Sequence, residues 1–280
     1  MHRNLLSDFP TFKHMAKGLD FKLLKDFTTY YEESRFGLEL IIEDLASMTE
    51  NANILEIGSG IGLLSQYLAS KGFQVTSIEP SGQGFGMMSN LQEHVNKYFG
   101  LTNLNFIHHH STIEEFNPNS KYGYIFSINV FEHIKDPLHG LRKTQSLLGV
   151  GGFARIITPN YGVPYEPHFH IPIFFSKKLT FVVFRSRIKN FKCFDPIGLW
   201  DSLNWISISK IKRMLISESI PGSFSLRATQ LYFQRFEGEN QFLARKGRFF
   251  KFIAINLKFL LRYLPQGLFP ILDLTIRKSS

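Results

Sequence analysis

The sequence predicts an α/β fold: a Rossmann-like, doubly wound and mainly parallel seven-stranded sheet, with a cap inserted after the fifth strand. Three observations support this prediction. Short apolar runs alternate with stretches of helical periodicity, a glycine-rich turn follows the first run, and a proline- and aromatic-rich stretch interrupts the alternation after the fifth. Strands separated by helices indicate a parallel sheet with right-handed crossovers.

The N-terminal segment, residues 1–50, is predicted to be helical. Apolar side chains recur at three- and four-residue steps among acidic residues over 20–48, a spacing typical of amphipathic helices. The remainder, residues 51–280, is predicted to contain the sheet.

Within 51–280 the predicted strands and helices alternate. The predicted strands are short runs rich in Ile, Val, Phe and Tyr, and the predicted helices carry an apolar stripe. In chain order these elements are a strand over 54–57, a glycine turn over 58–62, a helix from 63, a strand over 74–78, a helix over 86–99, strands over 104–107 and 124–128, a helix over 137–148 and a fifth strand over 153–157.

The sequence changes character after the fifth strand. Residues 160–205 carry four prolines with many aromatic and basic side chains. Linkers are rarely so aromatic, so this stretch is predicted to be an inserted substrate cap. The elements expected after it are a helix over 207–217, a strand over 224–235, a basic amphipathic helix over 241–264 and a last strand over 272–277.

The composition indicates a globular chain and excludes disordered and fibrous proteins, because 44% of the 280 residues are apolar and 20% are charged. The net charge of +9 is concentrated in the C-terminal half. Residues 171–220 carry nine basic against three acidic side chains, and residues 241–280 carry eight against one. Such an excess favours a polyanionic surface such as phospholipid, glycan phosphate or nucleic acid.

The sequence also bears on compartment. A single cysteine, Cys193, excludes an internal disulfide and a cysteine-based metal cluster. Residues 1–20 lack the apolar core and cleavage site of a signal peptide. The apolar run over 249–264 contains three basic residues, so it falls short of the roughly 18 uninterrupted residues that a spanning helix needs. We expect a cytoplasmic protein, with the basic helix as a candidate for peripheral contact at the inner face of the membrane.

The turn Gly58-Ser-Gly-Ile-Gly62 lies where ligands bind in an open parallel sheet, beyond the carboxyl end of the first strand. Its third glycine comes one residue too early for a dinucleotide fingerprint, and no Lys-Ser/Thr pair follows to make a P-loop. Glu79 comes about 20 residues later, at the end of the second strand, where a carboxylate can accept hydrogen bonds from two ribose hydroxyls.

The pattern Glu56-x-Gly58-x-Gly60-x-Gly62, followed by Glu79, resembles the class I S-adenosylmethionine (SAM)-dependent methyltransferases. The stretches 124–137, 147–152 and 158–160 resemble the fourth and fifth strand regions of methyltransferases related to the ubiquinone-biosynthesis O-methyltransferases. The resemblance implies SAM as the cofactor and identifies 51–280 as a SAM-binding methyltransferase domain.

The resemblance also implies roles in SAM binding for residues that follow three of the strands. The turn after Glu56 would form the floor under the methionine part of SAM, and the acid after the second strand would hold the ribose. The residues so assigned are Glu56, Gly58, Gly60 and Gly62 in the turn region, Glu79 at the ribose, Pro80 beside the adenine and Asn129 towards the sulfonium.

The sequence departs from the family after the third strand. Many relatives have an aspartate there that contacts the adenine, whereas this chain has Ser111 or Thr112 as the expected replacement, with Ile113 packing on the base. The neighbouring histidines over 108–110 are not expected to bind a metal, because adjacent strand residues point to opposite faces of a sheet.

Methyl transfer to a hydroxyl requires alignment of the acceptor and removal of a proton. His168 and His170 follow the fifth strand and are the main candidates for the general base, with Glu166 as an orienting partner and His133 as a rival. The alternatives are hydrogen-bonded loop histidines at 168 and 170 and a structural pair at Glu132 and His133. No metal is expected, because a catalytic metal needs a third ligand that the sequence does not identify.

The expected function is SAM-dependent O-methylation of a small-molecule, sugar or lipid-linked acceptor. One alternative is a nucleic-acid methyltransferase, favoured by the basic C-terminal half, although the Asn/Asp-Pro-Pro-Tyr/Phe type of motif is missing after strand four. The other is a non-catalytic peripheral membrane or partner-binding protein. It is favoured by the helix over 241–264, where Lys251, Lys258 and Arg262 share one face. The competing interpretation of that helix is that it packs on the domain.

Overall fold

A computed structural model describes residues 4–49, 52–80, 86–100, 105–193, 195–238 and 265–278. The chain divides into two compact units. The first comprises Met1–Ile128, Lys143–Ala154 and Arg277–Ser280, and the second comprises Asn129–Arg142 and Arg155–Ile276.

The first unit contains the N-terminal helices and the first four strands. In chain order its elements are α1 (Phe12–Met15), α2 (Phe21–Ala46), β1 (Asn53–Ile57), α3 (Leu63–Ser70), β2 (Gln74–Ile78), α4 (Gly86–Phe99), β3 (Phe106–His109) and β4 (Tyr122–Ile128). Two further elements, α5 (Pro137–Leu147) and β5 (Leu148–Pro159), contain the points where the chain passes from one unit to the other.

The second unit contains the remaining elements. They are β6 (Tyr165–Glu166), β7 (Ile171–Pro172), α6 (Lys177–Lys189), α7 (Pro196–Ser202), α8 (Ile208–Ser217), β8 (Gly222–Phe224), α9 (Arg227–Gly238), a short 3₁₀ helix (Gln266–Leu268) and β9 (Ile271–Arg277), of which the last residue belongs to the first unit.

The described strands form a seven-stranded sheet in the order β3-β2-β1-β4-β5-β9-β8, and β6 and β7 form a separate hairpin. β1 pairs in parallel with β2 and with β4, and β2 pairs in parallel with β3. β8 and β9 are antiparallel. The predicted mainly parallel, doubly wound seven-stranded sheet is confirmed.

The core of the first unit follows the apolar stripes of the sequence. The predicted helical segment over 20–48 is one helix, α2, which begins where the Asp20 carboxylate accepts a hydrogen bond from the Leu23 amide. Its buried face includes Leu38 and Ile41. The Tyr124 hydroxyl of β4 donates a hydrogen bond of 2.9 Å to the Asp44 carboxylate near the end of α2, which fixes the helix against the strand.

The predicted cap, residues 160–205, has its own apolar cluster. The stretch contains the β6–β7 hairpin and the helices α6 and α7. Each helix begins at a residue whose side chain accepts a hydrogen bond from a helix amide, Ser176 for α6 and Asp195 for α7. The buried members of the cluster are Tyr161, Phe169, Ile171, Ile188, Trp200 and Leu203. Packing of aromatic rings thus holds this stretch together with little regular sheet.

The prediction of a strand over 224–235 is wrong. The strand in this region is only β8, and the chain continues as helix α9. Two acceptors satisfy amides at the helix start: the Ser225 hydroxyl accepts from the Arg227 amide at 3.0 Å, and the Asp273 carboxylate accepts from the Ala228 amide at 3.1 Å.

The predicted basic helix over 241–264 lies outside the described residues. Among the helices that are described, none has an apolar stretch long enough to cross a bilayer.

A buried ion pair joins β5 to β9 in the second unit. Arg155 and Asp273 form two hydrogen bonds, Nε to Oδ1 at 2.9 Å and Nη2 to Oδ2 at 2.8 Å. Both side chains are almost fully removed from solvent. Asp273 also accepts a hydrogen bond from the first turn of α9, so this one carboxylate connects β5, β9 and α9.

We expect Asp273→Asn to lower the free energy of unfolding by about 3–5 kcal/mol, because the Arg155 guanidinium would remain buried without its counter-charge. Urea unfolding at pH 7 measures this loss. The matched control is Glu218→Gln, which removes the charge from the exposed pair with Arg142 and should leave the unfolding midpoint close to that of the wild type. Equal losses in the two variants would contradict the role assigned to the buried pair.

Candidate active site

The glycine turn between β1 and α3 depends on left-handed backbone. Gly58, Gly60 and Gly62 have φ angles of 77°, 54° and 74°, a region that other residues rarely adopt. The amides of Gly58 and Ser59 donate to the Ile78 carbonyl at the end of β2, at 2.8 and 3.2 Å. The turn is therefore held against the carboxyl end of the neighbouring strand.

Glu79 contacts this turn directly. Its Oε2 accepts a hydrogen bond of 2.8 Å from the Gly60 amide. Burial raises the pKa of Glu79, and the hydrogen bond from Gly60 opposes that shift. The Gln92 side chain of α4 donates to the Gly60 carbonyl at 2.8 Å. The structure thus brings together the predicted acid and the predicted turn.

Two neighbours of the turn were missed by sequence reasoning. Gln92 is one polar residue among several on α4, and no motif marks it. Tyr30 of α2 lies beside Gly60, 3.7 Å from the point where a Cβ at that glycine would stand. Its position depends on how α2 packs against the turn, and the spacing of residues in the sequence does not predict that packing.

Glu56 is buried in β1 and bonded to the helix that follows the turn. Its Oε2 accepts a short hydrogen bond from the Ser65 hydroxyl of α3. Burial raises the pKa of Glu56 to about 8, although the hydrogen bond from Ser65 lowers it in part. The side chain therefore links β1 to α3, the two elements that flank the glycine turn.

The residues after β2 and β3 lie next to one another. The His109 carbonyl accepts from the Glu79 amide at 3.1 Å and from the Ser111 amide at 3.0 Å. The Thr112 hydroxyl accepts from the Glu115 amide at 3.3 Å. Ile113 is buried and Pro80 is exposed. Ser111 is thus beside Glu79 through a shared carbonyl, whereas the Thr112 hydroxyl caps a local turn.

These residues of the first unit fit an adenosyl ligand. The turn offers backbone that no Cβ obstructs, and Glu79 offers a carboxylate acceptor for a diol. The Ser59 hydroxyl is buried without a hydrogen-bond partner among the described residues, and a buried polar atom of this kind calls for a ligand or water partner.

Asn129 begins the polar part of the second unit. It follows β4 directly, has a φ of 55° and is exposed. Asparagine tolerates this left-handed conformation better than most residues. Its amide donates to the Ile157 carbonyl of β5 at 2.8 Å, so the chain turns at the strand end and continues towards Glu132.

Glu132, His133 and His168 form a cluster in the second unit. Glu132 Oε1 lies 3.9 Å from His133 Nε2 and 3.9 Å from His168 Nε2, and the three ligand atoms all lie within 4.8 Å of one another. Burial raises the pKa of Glu132. Burial, followed by the neighbouring His168, lowers the pKa of His133 to about 4. The cluster thus contains a carboxylate and two imidazoles that could hold a metal ion.

Glu166 orients His168. Its Oε1 lies 2.8 Å from His168 Nδ1 and accepts from the Tyr161 hydroxyl at 3.2 Å. Its Oε2 accepts from the Phe169 amide at 2.6 Å. Burial alone would raise the pKa of Glu166, but the hydrogen bonds from His168 and from backbone amides lower it on balance. An ionised, fully bonded carboxylate therefore fixes the imidazole of His168.

The structure does not place His170 in this cluster. His170 has a φ of 54°, and its Nδ1 lies 3.2 Å from the Tyr165 hydroxyl. The predicted candidates His133 and His168 are brought together, with ring centroids 5.5 Å apart. The sequence had marked Glu132 as the neighbour of His133, but nothing in its spacing indicated a contact with His168.

Comparisons with known proteins identify the family of the chain. A family described as "Methyltransferase domain" matches residues 31–216. An uncharacterized protein of Mycobacterium tuberculosis is 35% identical over 258 residues, which cover 88% of this chain and 85% of that protein. The ubiquinone biosynthesis O-methyltransferase of Rickettsia canadensis is 30% identical over 138 residues, 48% of this chain and 56% of that protein.

Among solved structures, the chain is similar to phosphoethanolamine N-methyltransferase 2 of Haemonchus contortus, in complex with phosphomonomethylethanolamine and S-adenosylhomocysteine. The TM-score is 0.55 at 16% sequence identity. The match covers 97% of this chain but 61% of that protein. At this identity the likeness shows the fold alone.

We expect the stability of the protein to fall with rising pH because of Glu56. Its pKa is about 8 in the folded chain against an ordinary value of 4.5. The folded state therefore holds the proton more tightly, and this contribution, complete below pH 4.5, is lost as pH rises through 8. Thermal unfolding between pH 6 and 9 should show a smaller loss for Glu56→Gln than for the wild type. The exposed control Glu93→Gln should follow the wild type, and identical curves for all three proteins would contradict the shifted pKa.

Proposed function

The chain belongs to the methyltransferase-domain family, and we propose that it transfers a methyl group from SAM to a hydroxyl of a small-molecule, sugar or lipid-linked acceptor. The observation that carries the proposal is the contact between Glu166 and His168, 2.8 Å from Oε1 to Nδ1. A histidine held by a carboxylate is suited to handling the proton of a hydroxyl.

The first unit supplies the residues that would hold SAM. Glu79 would accept hydrogen bonds from the ribose hydroxyls, the glycine turn would form the floor under the methionine part, and the buried Ser59 hydroxyl would supply a further polar contact. When bound, SAM supplies an electrophilic methyl group: the acceptor oxygen bonds to the methyl carbon as the carbon–sulfur bond breaks and the thioether leaves. Asn129, which follows β4, is proposed to approach the sulfonium.

The second unit supplies the residues that would act on the acceptor. An acceptor hydroxyl becomes a better nucleophile when it loses its proton. We assign this step to the cluster of Glu132, His133 and His168. His170, which lies outside the cluster, is not part of this assignment. Contact of the basic segment over 241–264 with an anionic membrane, and a cytoplasmic location, remain proposals that rest on the sequence.

We expect Glu79→Ala to weaken SAM binding by about 10- to 100-fold, because hydrogen bonds to a charged acceptor are worth about 1.5–3 kcal/mol. Isothermal titration calorimetry with SAM and with S-adenosylhomocysteine measures the change. Glu93→Ala, an exposed glutamate of α4, is the matched control and should bind as the wild type does. Unchanged affinity in Glu79→Ala would contradict the cofactor site.

We expect the wild-type protein to label a hydroxyl-bearing small molecule in a cell extract supplied with radiolabelled SAM. Mass spectrometry of the labelled product identifies the acceptor. His168→Gln should lower the rate by about 10²- to 10⁴-fold, the usual contribution of an acid–base group, and should leave SAM affinity unchanged. His139→Gln, at an exposed position of α5, should retain the wild-type rate.

Three results of this assay would overturn the proposal. Label on RNA or DNA would support the nucleic-acid alternative. Label on nitrogen or carbon would remove the assignment to hydroxyl acceptors. Intact SAM binding without label in any extract would support a non-catalytic binding protein.

A further inference from the structure

We propose that Glu132, His133 and His168 bind a divalent transition-metal ion of the zinc(II) type, which takes the acceptor hydroxyl as a further ligand. The inference deepens the proposed function and rests on it for the identity of the acceptor group, but the ion site itself is argued from the cluster alone.

The separation of the three ligand atoms suits a shared ion. Glu132 Oε1 is 3.9 Å from both histidine Nε2 atoms, which is too far for a hydrogen bond. Ligands that lie about 2.0–2.2 Å from one zinc ion are about 3.0–3.6 Å apart. Glu132 Oε1 would therefore need to approach each nitrogen by less than about 1 Å, and the two nitrogens lie within 4.8 Å of one another.

The hydrogen-bond partners assign the proton of each imidazole to Nδ1. The ionised carboxylate of Glu166 can only accept, so His168 donates from Nδ1. The Ser202 hydroxyl donates its one proton to the Leu199 carbonyl at 2.8 Å, so it accepts from His133 Nδ1 at 2.9 Å. An imidazole that donates from Nδ1 can bind an ion only through Nε2, and Nε2 is the atom of each ring that lies on the side of Glu132.

Glu132 completes a group of electron-pair donors. The side chain is fully buried, and Oε1 has no hydrogen-bond partner among the described residues. Oε2 is occupied, since it accepts a short hydrogen bond from the Thr158 hydroxyl. A buried carboxylate oxygen without a hydrogen-bond partner is costly, and an ion bound between this oxygen and the two Nε2 atoms would give it a partner.

Each proposed ligand also has a hydrogen bond on its other polar atom that fixes its orientation, as metal ligands usually have. Thr158 holds Glu132, Ser202 holds His133 and Glu166 holds His168. The outer contacts come from three separate segments of the second unit, so the orientation of the ligands does not depend on one loop.

The ligand types select the kind of ion. Imidazole nitrogen favours zinc, iron, nickel and copper, whereas magnesium and calcium favour oxygen ligands. Two histidines and one glutamate leave positions open, as in catalytic rather than structural zinc sites. An acceptor hydroxyl at an open position would lose its proton to a solvent base more readily, because the cation stabilises the resulting oxygen anion. His168 would then act as a ligand.

Binding of Zn²⁺ to the full-length protein tests the site without an activity assay. After treatment with a chelator and its removal, calorimetry should show one ion per chain of wild-type protein. Glu132→Gln and His133→Asn should each weaken binding by 100-fold or more. Thr158→Val, which removes only an outer contact, should weaken it by about 10- to 100-fold. Co²⁺ should give a visible absorption spectrum that the ligand variants Glu132→Gln and His133→Asn lose.

The control His139→Asn removes an exposed histidine outside the cluster and should bind Zn²⁺ as the wild type does. Circular dichroism on each variant checks that the fold is retained, and Thr158→Val keeps the test valid if a ligand variant does not fold. Equal affinity in the wild type and in folded Glu132→Gln or Thr158→Val would overturn the proposal, since ordinary surface histidines would then account for the binding.

Failure of this inference can be told from failure of the proposed function. Methyl transfer that proceeds at the full rate in the presence of a chelator, in a protein that binds no Zn²⁺, overturns the ion site and leaves the methyltransferase. Zn²⁺ binding at the cluster in a protein that labels no hydroxyl overturns the proposed acceptor and leaves the ion site. Loss of transfer on chelation, restored by Zn²⁺, supports both.

Discussion

The parallel pairing of β1 with β2 and β4 is the constraint on which the rest of the structure depends. Parallel strands end at the same edge of a sheet, so the residues that follow them become neighbours whatever their separation in the chain. The contact of Glu79 with Gly60 is a consequence, because Glu79 directly follows β2 and the glycine turn directly follows β1, the strand beside it. In the second unit, the amide of Asn129 donates to the Ile157 carbonyl of β5.

Features set by local chemistry could be predicted from the sequence. The glycine turn needs left-handed backbone, which glycine supplies, and the helix α2 shows its apolar stripe in its spacing. The order of the elements then fixes the sheet. The strand predicted over 224–235 is wrong because a short apolar run fits either a strand or a helix, and the helix that forms there is capped by a residue distant in the chain. Asp273 caps the start of α9 and binds Arg155, a pairing across more than one hundred residues that no local pattern reveals.

The residues of the candidate site likewise fall into those that a local sequence motif predicts and those that only the fold brings together. Glu56, Glu79 and the glycines could be found because a motif of fixed spacing carries them. Gln92 and Tyr30 could not, because their positions beside the turn depend on helix packing. Ser59 lies within the motif, but the burial of its hydroxyl is a property of the fold. In the second unit the sequence marked His133 and His168 separately, and the missing information was that the fold joins them through Glu132. Glu132 and His168 are 36 residues apart in the chain, and only the folded structure shows that the loop after β4 and the β6–β7 hairpin bring their side chains together.

Three buried carboxylates of the second unit show why Glu132 is the unusual one. Asp273 faces the Arg155 guanidinium, and Glu166 accepts from His168, Tyr161 and two backbone amides, so each has the partners that burial demands. Glu132 has Thr158 on one oxygen and two imidazole nitrogens at 3.9 Å from the other. That oxygen has no hydrogen-bond partner among the described residues. An ion bound between it and the two Nε2 atoms, with neither nitrogen protonated, would meet an electron pair from each of the three, and this is the geometric argument for an ion.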